Sequence, residues 1–148
     1  MKDSDVTKKT KEFLDAANSI FYSHKKEISL IAAGEASCLA LSRLLDERKV
    51  ENVVAVDERT TRLLAEGPEN LQSIMEGKLH TNLEARKNNY NFFKGFKIIR
   101  SSELMYVAYK KGLFRIKDKL LLDALLYALK FNGCAITGDE IREMKGLR

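Results

Sequence analysis

The chain has 148 residues, of which 45% are hydrophobic and 32% are charged, a balance typical of a folded and heavily charged domain rather than of a disordered one. No apolar run of about 18 residues and no N-terminal signal segment is present, so the sequence predicts a cytoplasmic protein with no membrane partner. The formal net charge is +5, and residues 75–148 carry the positive part, with 15 Lys and Arg against 8 Asp and Glu.

Apolar periodicity predicts helices in the N-terminal third of the chain. A helical spacing of apolar residues extends over about 6–24, within an N-terminal helical segment 1–27, and a second one extends over about 35–48. The run Asn52–Val56 is short, apolar and mostly β-branched, which predicts a strand buried on both faces, as in a parallel sheet.

Strands and helices alternate in the rest of the chain. The predicted elements are helices over 59–65 and 68–77, a mobile polar connection over 78–91, a strand over 96–99, and helices over 102–112, 117–131 and 137–145. Thr137 and Glu140 have the spacing of a capping box at the last helix. Because no hairpin signal separates the strands, the sequence predicts one helix-rich α/β domain over 1–148, with a small parallel sheet covered by helices.

The two cysteines, Cys38 and Cys134, lie far apart and lack metal-ligand companions at suitable spacing. We expect both to be buried free thiols rather than a disulfide bridge.

Carboxylates stand where active sites form in open parallel sheets. Glu35 opens a predicted helix, and Asp57 and Glu58 follow the strand 52–56. Ligands gather beyond the carboxyl ends of parallel strands, and clustered carboxylates there can hold Mg²⁺ or Mn²⁺. The alternative is an acidic first helical turn that complements the helix dipole and needs no metal. The spacing alone favours this alternative.

The sequence also resembles a known family. The segments Gly34–Leu41 and Val53–Arg62 resemble the second acidic motif of PIN domains and the strand that follows it, and Arg100–Leu113 and Leu122–Glu140 resemble the late helices. The resemblance covers about residues 30–145 and implies a three-layer α/β/α fold with a small central parallel sheet.

PIN domains are typically Mg²⁺- or Mn²⁺-dependent ribonucleases, so the resemblance implies an RNA partner and a metal held by Glu35 and Asp57, with Glu58 as an alternate. In that family the first acidic residue lies on an N-terminal strand, and nothing before Glu35 matches it. The first strand has therefore been lost, has diverged beyond recognition, or is missing from an N-terminally incomplete domain, and we expect weak cleavage or none.

A basic run, Arg86–Lys119, contains ten Lys and Arg against only Glu103 and Asp118. It favours phosphate binding beside the acidic site or, equally, a solvated lysine-rich surface. The residues predicted to contact nucleic acid are Lys94, Lys97, Arg100, Lys110, Lys111 and Arg115. The alternative function is a non-enzymatic interaction module that forms a homodimer or binds another protein.

Overall fold

The structure is a computed structural model that describes residues 2–116, 118 and 120–147. By residue contacts the chain divides into two compact units, named here unit 1 (Met1–Val54 and Arg59–Ile98) and unit 2 (Ala55–Glu58 and Ile99–Arg148). Helix dominates and strand is sparse, which agrees with the helix-rich α/β class in its coarse form. Within the described ranges, no helix combines the length and the apolar character that a bilayer crossing requires.

The helices are α1 (Asp3–Asn18), α2 (Ala33–Glu47), α3 (Arg59–Glu66), α4 (Pro68–Leu79), α5 (Ser101–Lys110), α6 (Leu121–Phe131) and α7 (Gly138–Gly146), with a 3₁₀ helix at Lys87–Phe93. The strands are β1 (Phe21–Ser23), β2 (Lys26–Glu27), β3 (Val54–Ala55), β4 (Glu84–Ala85) and β5 (Ile98–Ile99). The predicted helices are all found, but α4 runs through Gly77 and ends where His80 adopts a left-handed φ of 50°. Lys117 and Lys119, in the predicted helix 117–131, lie outside the described residues.

The first predicted helix was too long, because a hairpin follows it. Helix α1 ends at Asn18, and β1 and β2 pair antiparallel through a tight turn. The turn residues His24 and Lys25 have φ values of 49° and 64°. Positive φ at both central residues matches the right-handed twist of the flanking strands. Because neither residue is glycine or asparagine, the usual sequence signal of such a turn is missing.

The sheets correct the prediction of an all-parallel arrangement. The three-stranded sheet has the order β2-β1-β4, and both of its pairings are antiparallel. In the two-stranded sheet, the Val54 N–H donates to the Lys97 carbonyl at 2.8 Å, and the Val56 N–H donates to the Ile99 carbonyl at 3.0 Å. Both bonds advance in the same direction along β3 and β5, as in a parallel pair.

Strand β3 is also less buried than its sequence predicts. Val54 is buried, but Val53 is 56% exposed and Ala55 is exposed. The strand therefore has one buried and one solvated face.

The polar stretch 78–91, predicted as a mobile connection, contains ordered elements. Strand β4 pairs with β1, and the 3₁₀ helix follows it directly. Leu83, Tyr90 and Phe93 from this part of the chain are buried in the core of unit 1. These three apolar anchors fix a segment whose remaining residues are mostly polar.

Each unit has its own core. In unit 1, α1 packs on α2, and the Phe13 ring meets Phe93 and Phe96 edge-to-face, each at a centroid distance of 5.7 Å. In unit 2, Leu126 and Ile141 are fully buried between α6 and α7. Burying such apolar side chains contributes roughly 1.5–3 kcal/mol each.

Candidate functional site

Asp57 lies just beyond β3, at the strand end where the sequence predicts a site. Its Oδ1 accepts the backbone N–H of Ser101 at 2.8 Å. Ser101 is the first residue of α5, and the N–H groups of a first helical turn have no partner within the helix. Asp57 therefore caps α5 from outside the helix, and its negative charge complements the positive end of the helix dipole.

The surroundings of Asp57 favour its ionised form. Burial by itself raises the pKa of the Asp57 carboxyl, but contacts with the Ser101 side chain and N–H, with the Cys134 thiol and with the Arg100 charge outweigh burial. The pKa consequently lies below its usual value. Asp57 therefore remains an anion at neutral pH, and the Ser101, Cys134 and Arg100 groups that favour this form belong to unit 2.

Arg100 joins two helix N-termini beside Asp57. Its Nη2 lies 2.9 Å from Glu103 Oε1 in α5, and its Nη1 donates to Glu140 Oε1 in α7 at 2.7 Å. The same Nη1 donates to the Ala135 carbonyl at 3.3 Å. With a side chain only 11% exposed, Arg100 is bound on several sides by these acceptors. Arg100 therefore links α5 to α7 through ion pairs with one carboxylate on each helix.

The capping box predicted for α7 is present. Glu140 Oε2 accepts the Thr137 N–H at 2.7 Å, and Thr137 Oγ1 accepts the Glu140 N–H at 3.1 Å. Burial raises the pKa of Glu140, but the hydrogen bonds from Thr137 and Arg100 and the Arg100 charge lower the pKa to about 2. The ionised carboxylate therefore stabilises both the helix end and its link to α5.

The two cysteines differ in environment. Cys134 is a buried free thiol, as predicted, and it contributes to lowering the pKa of Asp57. Cys38 is also free but is exposed on α2, so the prediction of burial was wrong for this residue. Helix α2 has one buried face and one exposed face. Leu39 and Ala40 are buried, whereas Cys38 lies on the exposed face.

Glu35 is also bound at a helix start. Its Oε2 accepts the Ala32 N–H at 3.2 Å at the N-terminus of α2. Glu35 belongs to unit 1 and Asp57 to unit 2, and the predicted closeness of these carboxylates stays a prediction. Glu58, the alternate ligand, is exposed next to Asp57.

The predicted site for Mg²⁺ or Mn²⁺ stays a prediction. Among the residues that the structure describes, no three His, Cys, Asp or Glu side chains form a group suited to a metal ion. One oxygen of each predicted ligand, Glu35 Oε2 and Asp57 Oδ1, accepts a backbone N–H. Metal-dependent cleavage therefore remains an expectation from the resemblance.

The predicted nucleic-acid contacts fall in both units. In unit 1, Lys94 and Lys97 are exposed, and Lys97 Nζ lies 3.9 Å from the highly exposed Glu51. In unit 2, the exposed cations at the end of α5 and in the loop after it are Lys110, Lys111 and Arg115. Arg100 differs from the other five because its guanidinium is already paired with two carboxylates.

Sequence reasoning identified Asp57 but missed most of its neighbours. Glu103 follows Arg100 by three residues, the spacing of a capping box, and this local signal was available. Cys134 is distant in sequence from Asp57, and no local pattern connects the two residues.

Comparisons with protein-family models, with curated proteins and with solved structures give no match. The resemblance to PIN domains therefore rests on the sequence motifs alone.

Proposed function

We propose that the chain is a PIN-like protein that binds RNA and cleaves it weakly or not at all. The observation that carries the proposal is the group of exposed cations Lys110, Lys111 and Arg115, which follow one another along the end of α5 and the next loop. Phosphate contacts of this kind supply most of the sequence-independent affinity for nucleic acids. The exposed Lys94 and Lys97 extend the basic character in unit 1.

The carboxylates support the non-catalytic form of the proposal. Glu35 and Asp57 each accept a backbone N–H at a helix start. Both carboxylates therefore stabilise a helix without any metal. A metal that recruited Glu35 Oε2 or Asp57 Oδ1 would weaken the helix cap that this oxygen forms.

Fluorescence polarisation with labelled mixed-sequence single-stranded RNA tests binding. If three cations contact phosphates, the logarithm of the affinity should fall with the logarithm of the salt concentration with a slope of about −2, since each contact contributes about −0.7. No binding at about 50 mM salt would overturn the proposal.

The same RNA incubated with Mn²⁺ and with chelator tests cleavage. We expect at most a trace of metal-dependent product. Robust cleavage that is abolished by both Glu35→Gln and Asp57→Asn would show an active nuclease. Cleavage that neither substitution changes would indicate a contaminating enzyme.

A second candidate function, a homodimer or protein-binding module, is favoured by the apolar surface of unit 2. Four large apolar side chains there are strongly exposed: Leu113 at 71%, Ile116 at 64%, Leu120 at 70% and Phe131 at 82%. Exposed apolar side chains of this size are candidates for contacts with another protein. Analytical ultracentrifugation separates the two functions, because a concentration-dependent dimer disrupted by Ile116→Ser would support the module.

A further inference from the structure

A surface cavity of about 370 Å³ lies in unit 1. Its walls come from the end of α3, the start of α4 and the 3₁₀ helix Lys87–Phe93. Binding cavities for small molecules begin at about 300 Å³, so a mononucleotide is within the range of sizes that this cavity can hold. All of its described lining belongs to unit 1.

Tyr90 provides the first sign that the cavity is built for a ligand. The residue is only 5% exposed, and its ring meets Phe21 edge-on at a centroid distance of 6.4 Å. Its hydroxyl is buried and has no hydrogen-bond partner among the described residues. Buried tyrosine hydroxyls nearly always have such a partner. Burial, assisted by the charge of Glu69, raises the pKa of Tyr90, so the phenol keeps its proton and can donate it in a hydrogen bond.

The charges around Tyr90 are of both signs. Lys87 and Lys94 line the cavity, and so do the carboxylates of Glu66 and Glu69. Glu66 also lies 3.6 Å from Arg62, whereas Glu69 stands in the first turn of α4. The two carboxylates would repel a ligand that is only anionic, and the two lysines would repel a ligand that is only cationic. The lining therefore suits a ligand that carries both a negative group and a hydrogen-bond donor.

The start of α4 already carries a negative group. Glu69 lies in the first turn, Pro68 has no N–H, and the Asn70 and Leu71 N–H groups donate to the Gly67 carbonyl. The two lysines, rather than the helix end, are therefore the groups of the cavity that attract an anion.

We propose that this cavity binds one nucleotide whose base carries an exocyclic amine, with its phosphate on Lys87 and Lys94 and its amine on Glu69, because Glu66 already faces Arg62. Tyr90 donates its hydroxyl proton to an oxygen of the same nucleotide. Carboxylates accept hydrogen bonds from the N4 amine of cytosine but repel the O4 carbonyl of uracil, which differs from cytosine at that position. The inference rests on the RNA-binding function proposed above and gives that function a preference for cytidine over uridine.

Calorimetric titration of the full chain with cytidine monophosphate, and separately with uridine monophosphate, tests the cavity directly. We expect cytidine monophosphate to bind about tenfold more tightly, as one additional hydrogen bond to a charged group allows. Glu69→Gln should remove most of this preference. Equal affinities in the unmodified chain, or stabilisation by inorganic phosphate equal to that by the nucleotide, would overturn the inference.

Tyr90→Phe provides a second readout that is insensitive to folding defects. Removing a hydroxyl that lacks a partner should leave the melting temperature unchanged or raised, while the affinity for cytidine monophosphate falls about tenfold. Tyr109→Phe, in α5 of unit 2, is the matched control and should change neither value. Unchanged affinity in Tyr90→Phe contradicts the assignment.

Oligocytidine and oligouridine separate the two proposals. Equal binding of both polymers would support the RNA-binding function and refute the cavity assignment. Binding of cytidine monophosphate without binding of either polymer would support the cavity and refute the wider function.

Discussion

Replacing Glu140 by Gln tests the link between α5 and α7. Glutamine keeps the length of the side chain and can still accept the Thr137 N–H, because glutamine also serves in capping boxes. What the substitution removes is the negative charge that faces Arg100 at 2.7 Å. The variant therefore isolates the electrostatic part of the interaction.

The magnitude follows from the pKa of Glu140. A pKa lowered from 4.5 to about 2 sets an upper limit of about 3.4 kcal/mol, at about 1.36 kcal/mol per pH unit. The side chain is 36% exposed, so solvent screening reduces this limit to about 1–2 kcal/mol. For a chain of this size, the melting temperature should fall by about 3–6 °C at neutral pH.

The stabilisation that Glu140 contributes should decrease as the pH falls. Because folding lowers the pKa of Glu140, its stabilisation is fully present above the unfolded pKa of 4.5 and is lost as the pH falls toward about 2. The difference in melting temperature between the natural chain and Glu140→Gln, followed by circular dichroism, should therefore shrink steadily below pH 4.5. Glu143→Gln, an exposed change on the same helix, is the control and should have little effect. Equal melting temperatures for the natural chain and Glu140→Gln at pH 7, or a gap that widens on acidification, would refute the reasoning.

Two further predictions follow from single contacts. Asn18→Ala should lower the free energy of unfolding, measured in urea, by about 2–3 kcal/mol, because Asn18 makes three hydrogen bonds to the backbone of residues 30–31. A loss below about 0.5 kcal/mol would contradict the importance of these bonds. A thiol reagent should modify Cys38 rapidly in the folded chain and Cys134 only on unfolding, and two equally fast thiols would contradict the burial of Cys134.

Local sequence signals predicted the helices well. Apolar spacing located α2 and α6, and the Thr137 and Glu140 pair fixed the start of α7, because helical contacts and caps join residues three or four apart. The hairpin after α1 was missed because two non-glycine residues adopt positive φ in its turn. Strand β4 was missed because polar Glu84 stands in it and its partner, β1, lies far away in sequence.

In the candidate site, too, local sequence signals were predictive and contacts between distant residues were missed. Asp57 was predicted from its place after an apolar strand, whereas its bond to Ser101 spans 44 residues and leaves no local pattern. Arg100 was predicted to contact nucleic acid because its carboxylate partner in α7, Glu140, is 40 residues away and leaves no local signal. The unpartnered hydroxyl of Tyr90 depends on packing alone and has no sequence signal.

A comparison of two charge-reversal variants tests the central claim of RNA binding most directly. The first changes Lys110, Lys111 and Arg115 to Glu, and the second makes the same change at Lys8, Lys11 and Lys25, which are equally exposed but lie in unit 1 outside the basic run. The two variants have identical net charge. The first should lower the affinity for single-stranded RNA at least about tenfold at low salt and flatten the salt dependence by about 2 in slope, while the second retains most of both. Equal losses in the two variants would contradict the account.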